Sequence, residues 1–359
     1  MKTNFIANIC SSSGYSVHSR NLFNSYAKLE KEVHLDSQLP PDFLAQLNDT
    51  ELAAIKNKSF KDGVNLMITM PQQFKLGQIE PHKKFVGFCV WEGDKVPLNF
   101  IDHLQACDLI LVPSEYVKKA IENTCKLGVP IEIIPHGVDS NLFKPNPNIR
   151  PEKDKFTFIV NKGWTNMNDR GGTQFAIKCF FEEFSSKDNV RMIVKINAAY
   201  GIPDINTMIQ SLIPVGKTDL PDLQIIVDTL RYEDMPQLYQ RGDVFVSPTM
   251  GEAFSIPCAE AMACGLPVIT TNSGGQTDFV KYGSGYLIDS TPIENTWDIM
   301  YEGINWAMPN LDMLKKTMRF AYSHPEENKQ MGLKAREDIK DFNWDKSALK
   351  LYNLLEKFK

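Results

Sequence analysis

The sequence predicts an α/β protein built as two Rossmann-like, doubly wound parallel-sheet domains, and three observations carry that expectation. First, short β-rich runs recur at 4–10, 64–69, 85–90 and 109–112, and again at 156–160, 192–196, 223–227, 244–247 and 267–271. They are continuously apolar, as parallel strands buried on both faces are. Second, helical patterns fall between them, at 20–29, 114–121, 173–184 and 235–240, and such alternation marks a doubly wound sheet. Third, the chain has 359 residues. With about 100–200 residues per domain, that length calls for two cores.

The clearest boundary is 144–154, where three prolines stand among polar residues and no periodicity survives. It separates an expected N-terminal domain at 1–145 from an expected C-terminal domain at 152–340. The segment 341–359 is expected to be a helix packing on, or bridging to, the first domain. From Thr296 onward the pattern reads as helical, with a break at Ser323-His324-Pro325. Open parallel sheets bind ligands outside the carboxyl ends of their strands, so two facing lobes place the expected site in a central cleft.

Composition removes several function classes. Hydrophobic residues make up 43% and charged residues 23%, with no low-complexity tract, so most of the chain is expected to fold. The net charge is −5 with basic and acidic residues interspersed, which is not the footprint of a nucleic-acid partner. Lysine pairs at 83–84, 118–119 and 315–316 allow at most weak peripheral membrane contact. Seven cysteines, an odd number without a C-x-x-C pair, fit a reduced, cytoplasmic protein. The start MKTNFIANIC is too short in its apolar run for a signal sequence, and no window reaches about 20 apolar residues. The expectation is a cytoplasmic chain, with the inner membrane face as the alternative location. His18, His34, His82, His103 and His324 show no metal-ligand spacing, and the simplest hydrolase and P-loop patterns are absent.

The stretch 248–269 carries the chemistry. It follows a strand, passes a small-residue loop, enters a helix near Pro257 and stops at Gly265-Leu266-Pro267. Such a loop offers free backbone N–H groups and a helix N-terminus to an anion such as a diphosphate. Glu252 lies in the loop, suited to accept from sugar hydroxyls. Glu260 lies one to two turns into the helix, suited to a ribose diol. Either glutamate alone would more simply be a helix-start acid or a solvated helix residue. Their pairing in a strand-loop-helix setting favours function.

The spacing Glu252-x7-Glu260 and the words GEAFSIPCAEAMACGLPVI resemble the retaining glycosyltransferases of family 4, with the GT-B fold and the E-x7-E motif. That resemblance implies transfer of a hexose-type sugar from a nucleotide diphosphate donor to a hydroxyl of a glycan or lipid-linked acceptor. It implies retention of configuration, no metal and no cofactor, and a role in glycan biosynthesis. It also assigns residues. Gly14 looks like the glycine of the first strand-helix loop, near the donor phosphate. The backbone of Phe254, Ser255 and Ile256 would contact the donor sugar, with Ser255 where the family often has glycine. Leu230 marks the base pocket. Pro135-His136-Gly137 resembles an interdomain hinge, which makes His136 structural.

The region 162–172 departs from the family's arginine and lysine-glycine word. Arg170 is the best diphosphate ligand there, since a guanidinium fork can bind two phosphate oxygens. Lys162 or Lys195 supplies the second cation, and the sequence leaves that choice open. The segment 90–97 looks like a tryptophan-glutamate-x-aspartate word of one family branch and makes Glu92 the candidate for orienting the acceptor hydroxyl. Glu92 with Asp94 as a divalent-metal pair is the less favoured reading. Loops such as 72–82 would read the acceptor. Two rivals remain at this stage: a nucleotide-sugar or glycan-binding protein of the same fold without turnover, and a GT-B epimerase.

Overall fold

The structure is a computed structural model that describes residues 2–11, 13–74, 84–146, 155–201 and 204–357. Most of the linker expected at 144–154 and most of the loop expected at 72–82, with His82 and Lys83, lie outside the described residues. The chain divides into two compact units. The first comprises Met1–Gly137, Asp298–Ile304 and Phe342–Lys359, the second Val138–Trp297 and Asn305–Asp341.

In the first unit six strands form one parallel sheet: β1 (Thr3–Ala7), β2 (Val33–Asp36), β3 (Val64–Ile68), β4 (Phe85–Phe88), β5 (Leu109–Val112) and β6 (Ile131–Ile133). Their order is β2-β1-β3-β4-β5-β6. The helices are α1 (Gly14–Leu29), α2 (Asp49–Lys56), α3 (Ile101–Gln105) and α4 (Glu115–Thr124). Local chemistry sets their starts. Ser13 and Ser114 cap α1 and α4 by accepting from the N–H groups of Ser16 and Val117. Asn48 and Glu51 form a reciprocal capping box on α2. Phe5, Phe23, Tyr26, Phe85, Phe88, Trp91 and Phe100 fill the core.

The second unit holds a second six-stranded parallel sheet: β7 (Phe156–Lys162), β8 (Val190–Ile196), β9 (Asp222–Ile226), β10 (Val244–Ser247), β11 (Val268–Thr271) and β12 (Gly285–Ile288). The order is β12-β11-β10-β7-β8-β9. A two-stranded antiparallel hairpin, β13 (Ser290–Glu294) with β14 (Asn305–Pro309), follows. The helices are α5 (Thr173–Glu183), α6 (Ile205–Leu212), α7 (Met235–Tyr239), α8 (Ile256–Ala263), α9 (Leu311–Ser323) and α10 (Pro325–Asp338). Phe158, Phe180 and Phe184 anchor a core that also takes in Leu314 and Met318 of α9. The chain runs outward from β7 to β9 and returns to lay β10 beside β7, with Val244 level with Phe158. Strand order therefore reverses between β7 and β10, the place where open α/β sheets hold ligands. The two parallel sheets are those the sequence predicts.

The final helix, α11 (Trp344–Glu356), belongs to the first unit and lies along α1. Its first turn is fitted by a glycine. A Cβ on Gly137 would stand 2.3 Å from the Trp344 nitrogen, so only glycine lets these backbones approach. Beneath α11 the imidazoles of His18 and His136 stack with centroids 4.1 Å apart, and both are buried. Neither ring nitrogen of His18 has a hydrogen-bond partner, and burial pushes its pKa down to about 3. His136 is packed there between His18 and Trp344.

One expectation is corrected. The stretch after Thr296 is not helical throughout: it passes through 298–304, then strand β14, before α9 begins at Leu311. The residues 305–309 pair with 290–294 strand to strand, and that tertiary pairing overrides a local helical pattern.

Candidate functional site

Two strand ends build the candidate donor site. Strand β7 finishes at Lys162, and β10 finishes at Ser247 before the loop that carries Glu252. The Lys162 ammonium donates to Glu252 Oε1 at 2.6 Å and to Ser255 Oγ at 3.1 Å. Arg170 Nη1 donates to the Gly251 carbonyl at 2.9 Å and stands 3.7 Å from Glu252 Oε1. Burial by itself would raise the Glu252 carboxyl. The Lys162 ammonium, the Arg170 guanidinium and the Ser255 N–H outweigh it and hold the carboxyl below its ordinary value.

The loop is braced on three sides. Met250 N–H and the Thr249 hydroxyl both donate to the Arg170 carbonyl, at 2.7 and 2.8 Å. Gly275 N–H donates to the Glu252 carbonyl, and Ala307 N–H of β14 to the Met250 carbonyl. Gly172 has a φ of 78°, and a Cβ there would meet the Pro248 oxygen at 2.1 Å. Glycine is therefore what lets the segment bearing Arg170 lie against the donor loop.

Ser255, Ile256 and Phe254 share that loop with Glu252. Ser255 is the one described non-glycine residue with positive φ, 71°. That left-handed conformation is strained for a residue with a Cβ. Its hydroxyl is held between the Lys162 ammonium and Cys258 Sγ. Ile256 opens α8, and Phe254 packs its ring on Phe279 at 4.9 Å.

Glu260 is not a solvated helix residue: it is 4% exposed. Tyr239 donates its hydroxyl to Glu260 Oε2 at 2.5 Å and in turn accepts from Asn161 Nδ2 at 2.9 Å. Burial pushes the Glu260 carboxyl up to about 8, with the Tyr239 hydrogen bond opposing it only in part. Sequence reasoning missed Tyr239 and Asn161 as its partners.

The two lysines offered as the second cation lie in different settings. Lys162 meets Glu252, whereas the buried Lys195 ammonium donates to the Ile196 carbonyl, and desolvation lowers its pKa. Leu230 is half-buried between β9 and α7, with no described contact to Glu252. Gly14 and Glu92 belong to the first unit, Gly14 as the first residue of α1. Glu92 follows β4 and is half-buried. Among the described residues no group of three His, Cys, Asp or Glu is placed to hold a metal ion. No described helix is long and apolar enough to cross a membrane.

With this geometry in place, residues 215–324 match the family model described as glycosyl transferases group 1. The matched stretch, less than a third of the chain, is similar to that family's domain. It contains the donor loop, Glu252 and Glu260. The chain is 28% identical over 280 residues to a Sulfolobus islandicus filamentous virus protein provisionally named glycosyltransferase 45, covering 76% of this chain and 73% of that one. It is 23% identical to a Corynebacterium glutamicum GDP-mannose-dependent phosphatidylinositol monomannoside mannosyltransferase, covering 62% of this chain and 58% of the enzyme. Two solved structures share the fold across almost their whole lengths. Sucrose-phosphate synthase of Thermosynechococcus elongatus superposes with a TM-score of 0.73 at 15% identity, covering 100% of this chain and 99% of that one. Anabaena HepE in complex with UDP-glucose gives 0.73 at 15% identity, covering 99% and 100%. The two parallel-sheet units are thus those of the GT-B fold.

Proposed function

We propose that the protein is a retaining, metal-independent glycosyltransferase that moves a hexose-type sugar from a nucleotide diphosphate donor to a hydroxyl of a glycan or lipid-linked acceptor. The observation that carries this reading is the cluster of Lys162, Arg170 and Glu252 at the strand reversal between β7 and β10, beside the N-terminus of α8. Two cations beside the N-terminus of a helix favour a diphosphate. Glu252, kept ionised by those cations, accepts hydrogen bonds from sugar hydroxyls. HepE, a structural neighbour, was solved with UDP-glucose, which supports a uridine nucleotide as the first donor to try.

Departure of the nucleotide diphosphate builds negative charge on the leaving oxygen, and Lys162 and Arg170 stabilise that charge as the bond to the anomeric carbon breaks. The acceptor hydroxyl attacks from the same face, and its proton passes to the departing phosphate. No covalent nucleophile on the protein is required. Glu92 orients the acceptor hydroxyl.

The test is differential scanning fluorimetry against UDP, GDP, ADP and their sugar conjugates, with magnesium and with EDTA, combined with an assay of released nucleotide. A shift with one nucleotide in EDTA, with slow nucleotide release from its sugar conjugate, is expected. A shift without any release on addition of glycan acceptors would instead make the protein a nucleotide-sugar binder.

A further inference from the structure

Among the described residues, Ser255 alone combines a Cβ with a positive φ, 71°. Side chains rarely adopt that left-handed conformation, and glycine would take it without strain. Ser255 is also 3% exposed, so its hydroxyl has left water and needs partners inside the protein. On backbone grounds alone serine is the poorer choice here. What it adds over glycine is the hydroxyl.

That hydroxyl has two partners. It donates to Cys258 Sγ at 3.1 Å, which spends its hydrogen and leaves the oxygen as an acceptor. The Lys162 ammonium donates to that oxygen at 3.1 Å. Lys162 ends β7 and is itself only 7% exposed. A lysine carries its charge on a flexible four-carbon stem with a freely rotating head. The contact with Glu252 Oε1 at 2.6 Å fixes that head at one point, and Ser255 Oγ fixes it at a second. The Ser255 N–H meanwhile bonds the Glu252 carboxylate. One residue therefore holds both members of the ion pair, the carboxylate through its backbone and the ammonium through its side chain.

We propose that Ser255 is a positioning residue: its N–H and hydroxyl hold Glu252 and Lys162 as one fixed unit, so that the ammonium meets the leaving diphosphate already aimed. Donors fixed in advance need no reorganisation as charge develops, and supporting hydrogen bonds are what lock such side chains. The loop keeps a strained serine for this hydroxyl. The proposal rests on the transferase reading for the diphosphate, while the fixing of Lys162 is a property of this loop alone.

Two substitutions test it, because both remove the hydroxyl and they differ in the backbone. Ser255→Ala keeps the Cβ and its strain, whereas Ser255→Gly removes both. The readouts are kcat and KM for nucleotide release from the sugar conjugate, the melting temperature, and 15N relaxation of the Lys162 side-chain ammonium, its signal assigned by its loss in Lys162→Met. Both variants are expected to lower kcat about fivefold to tenfold with KM within about twofold, although Ser255→Gly melts above Ser255→Ala. The ammonium is expected to become more mobile in both. In a Lys162→Met background neither change is expected to lower kcat further, because the hydroxyl acts through the lysine. The proposal is overturned if Ser255→Gly keeps the full kcat, if kcat follows the melting temperature instead of the hydroxyl, if the ammonium is no more mobile, or if the loss persists undiminished without Lys162. If the parent chain releases nucleotide from no sugar conjugate, the transferase reading fails, and the ammonium relaxation still decides whether Ser255 holds Lys162.

Discussion

Glu252 and Glu260 belong to one short stretch of chain, the first half-buried and the second buried, yet the fold gives them opposite protonation. Glu252 faces an ammonium at 2.6 Å and a guanidinium at 3.7 Å and is held ionised. Glu260 faces a phenol hydroxyl that accepts from an amide, and its carboxyl is pushed up to about 8. Desolvation acts on both, so the partner decides the outcome: cations reverse the cost of burial, and a neutral donor only reduces it. An ionised carboxylate with paired cations suits a site where a charged diphosphate arrives and leaves. A carboxylic acid bonded to Tyr239 suits a fixed helix face, able to offer or accept a hydrogen bond.

The largest expected effect comes from removing the cation that creates the difference. Lys162→Met leaves the half-buried Glu252 with only the more distant Arg170. Release of nucleotide from the donor is expected to fall by about 100-fold or more. The melting temperature is also expected to drop, because a half-buried charge loses its nearer partner. A melting curve and a nucleotide-release assay on one preparation check both, and normal turnover in this variant would break the contrast.

Arg170→Ala should separate the two cations. It is expected to lower kcat about 10–100-fold while donor affinity changes by only a few-fold, since charge on the leaving diphosphate peaks in the transition state. A loss seen only in affinity would place Arg170 in ground-state binding.

The pH dependence of stability sharpens the comparison further, because the two glutamates contribute with opposite signs. The folded state holds the Glu260 proton more tightly than the unfolded chain does. Its contribution is therefore complete below pH 4.5 and is lost as pH rises through about 8. Glu252 is held below its ordinary value, so its contribution is present above pH 4.5 and is lost on acidification. Urea unfolding of Glu260→Gln between pH 6 and 9 is expected to show a flatter alkaline fall than the parent, and an unchanged slope would place Glu260 among ionised carboxylates. His18, with its pKa pushed down to about 3, adds to the acid-side loss, which sets in below pH 6.5.

Ser255→Gly is the mildest change. Glycine relieves the left-handed strain at φ 71° but gives up the hydroxyl contact with Lys162. A net rise in melting temperature of no more than about 2–4 °C is expected. A clear fall would show that the Lys162 contact outweighs the strain.

Much of the fold was legible because buried parallel strands announce themselves as apolar runs, as at 109–112 and 244–247. The strands that escaped notice are short or half-exposed. Val33–Asp36 alternates in burial, Ile131–Ile133 is three residues long, and the Ser290–Glu294 strand is largely exposed. The donor loop was legible in its spacing, whereas its second cation was not. Lys195 pairs in register with Asn161, the residue before Lys162, and successive strand residues face opposite sides of a sheet. Sequence shows two lysines near strand ends and not which one the neighbouring strand β10 faces.

The sequence by itself determined the two α/β units, the strand-loop-helix that carries Glu252 and Glu260, and Arg170 as a cation beside it. Only the tertiary structure decided that Lys162 completes the cluster, that Tyr239 caps Glu260, and that Ser255 reaches Lys162. The physical reason is range. Strand and helix patterns follow from neighbours along the chain, but protonation and aim are set through space by groups 90, 21 and 93 residues away. Desolvation, moreover, exists only once the core has closed.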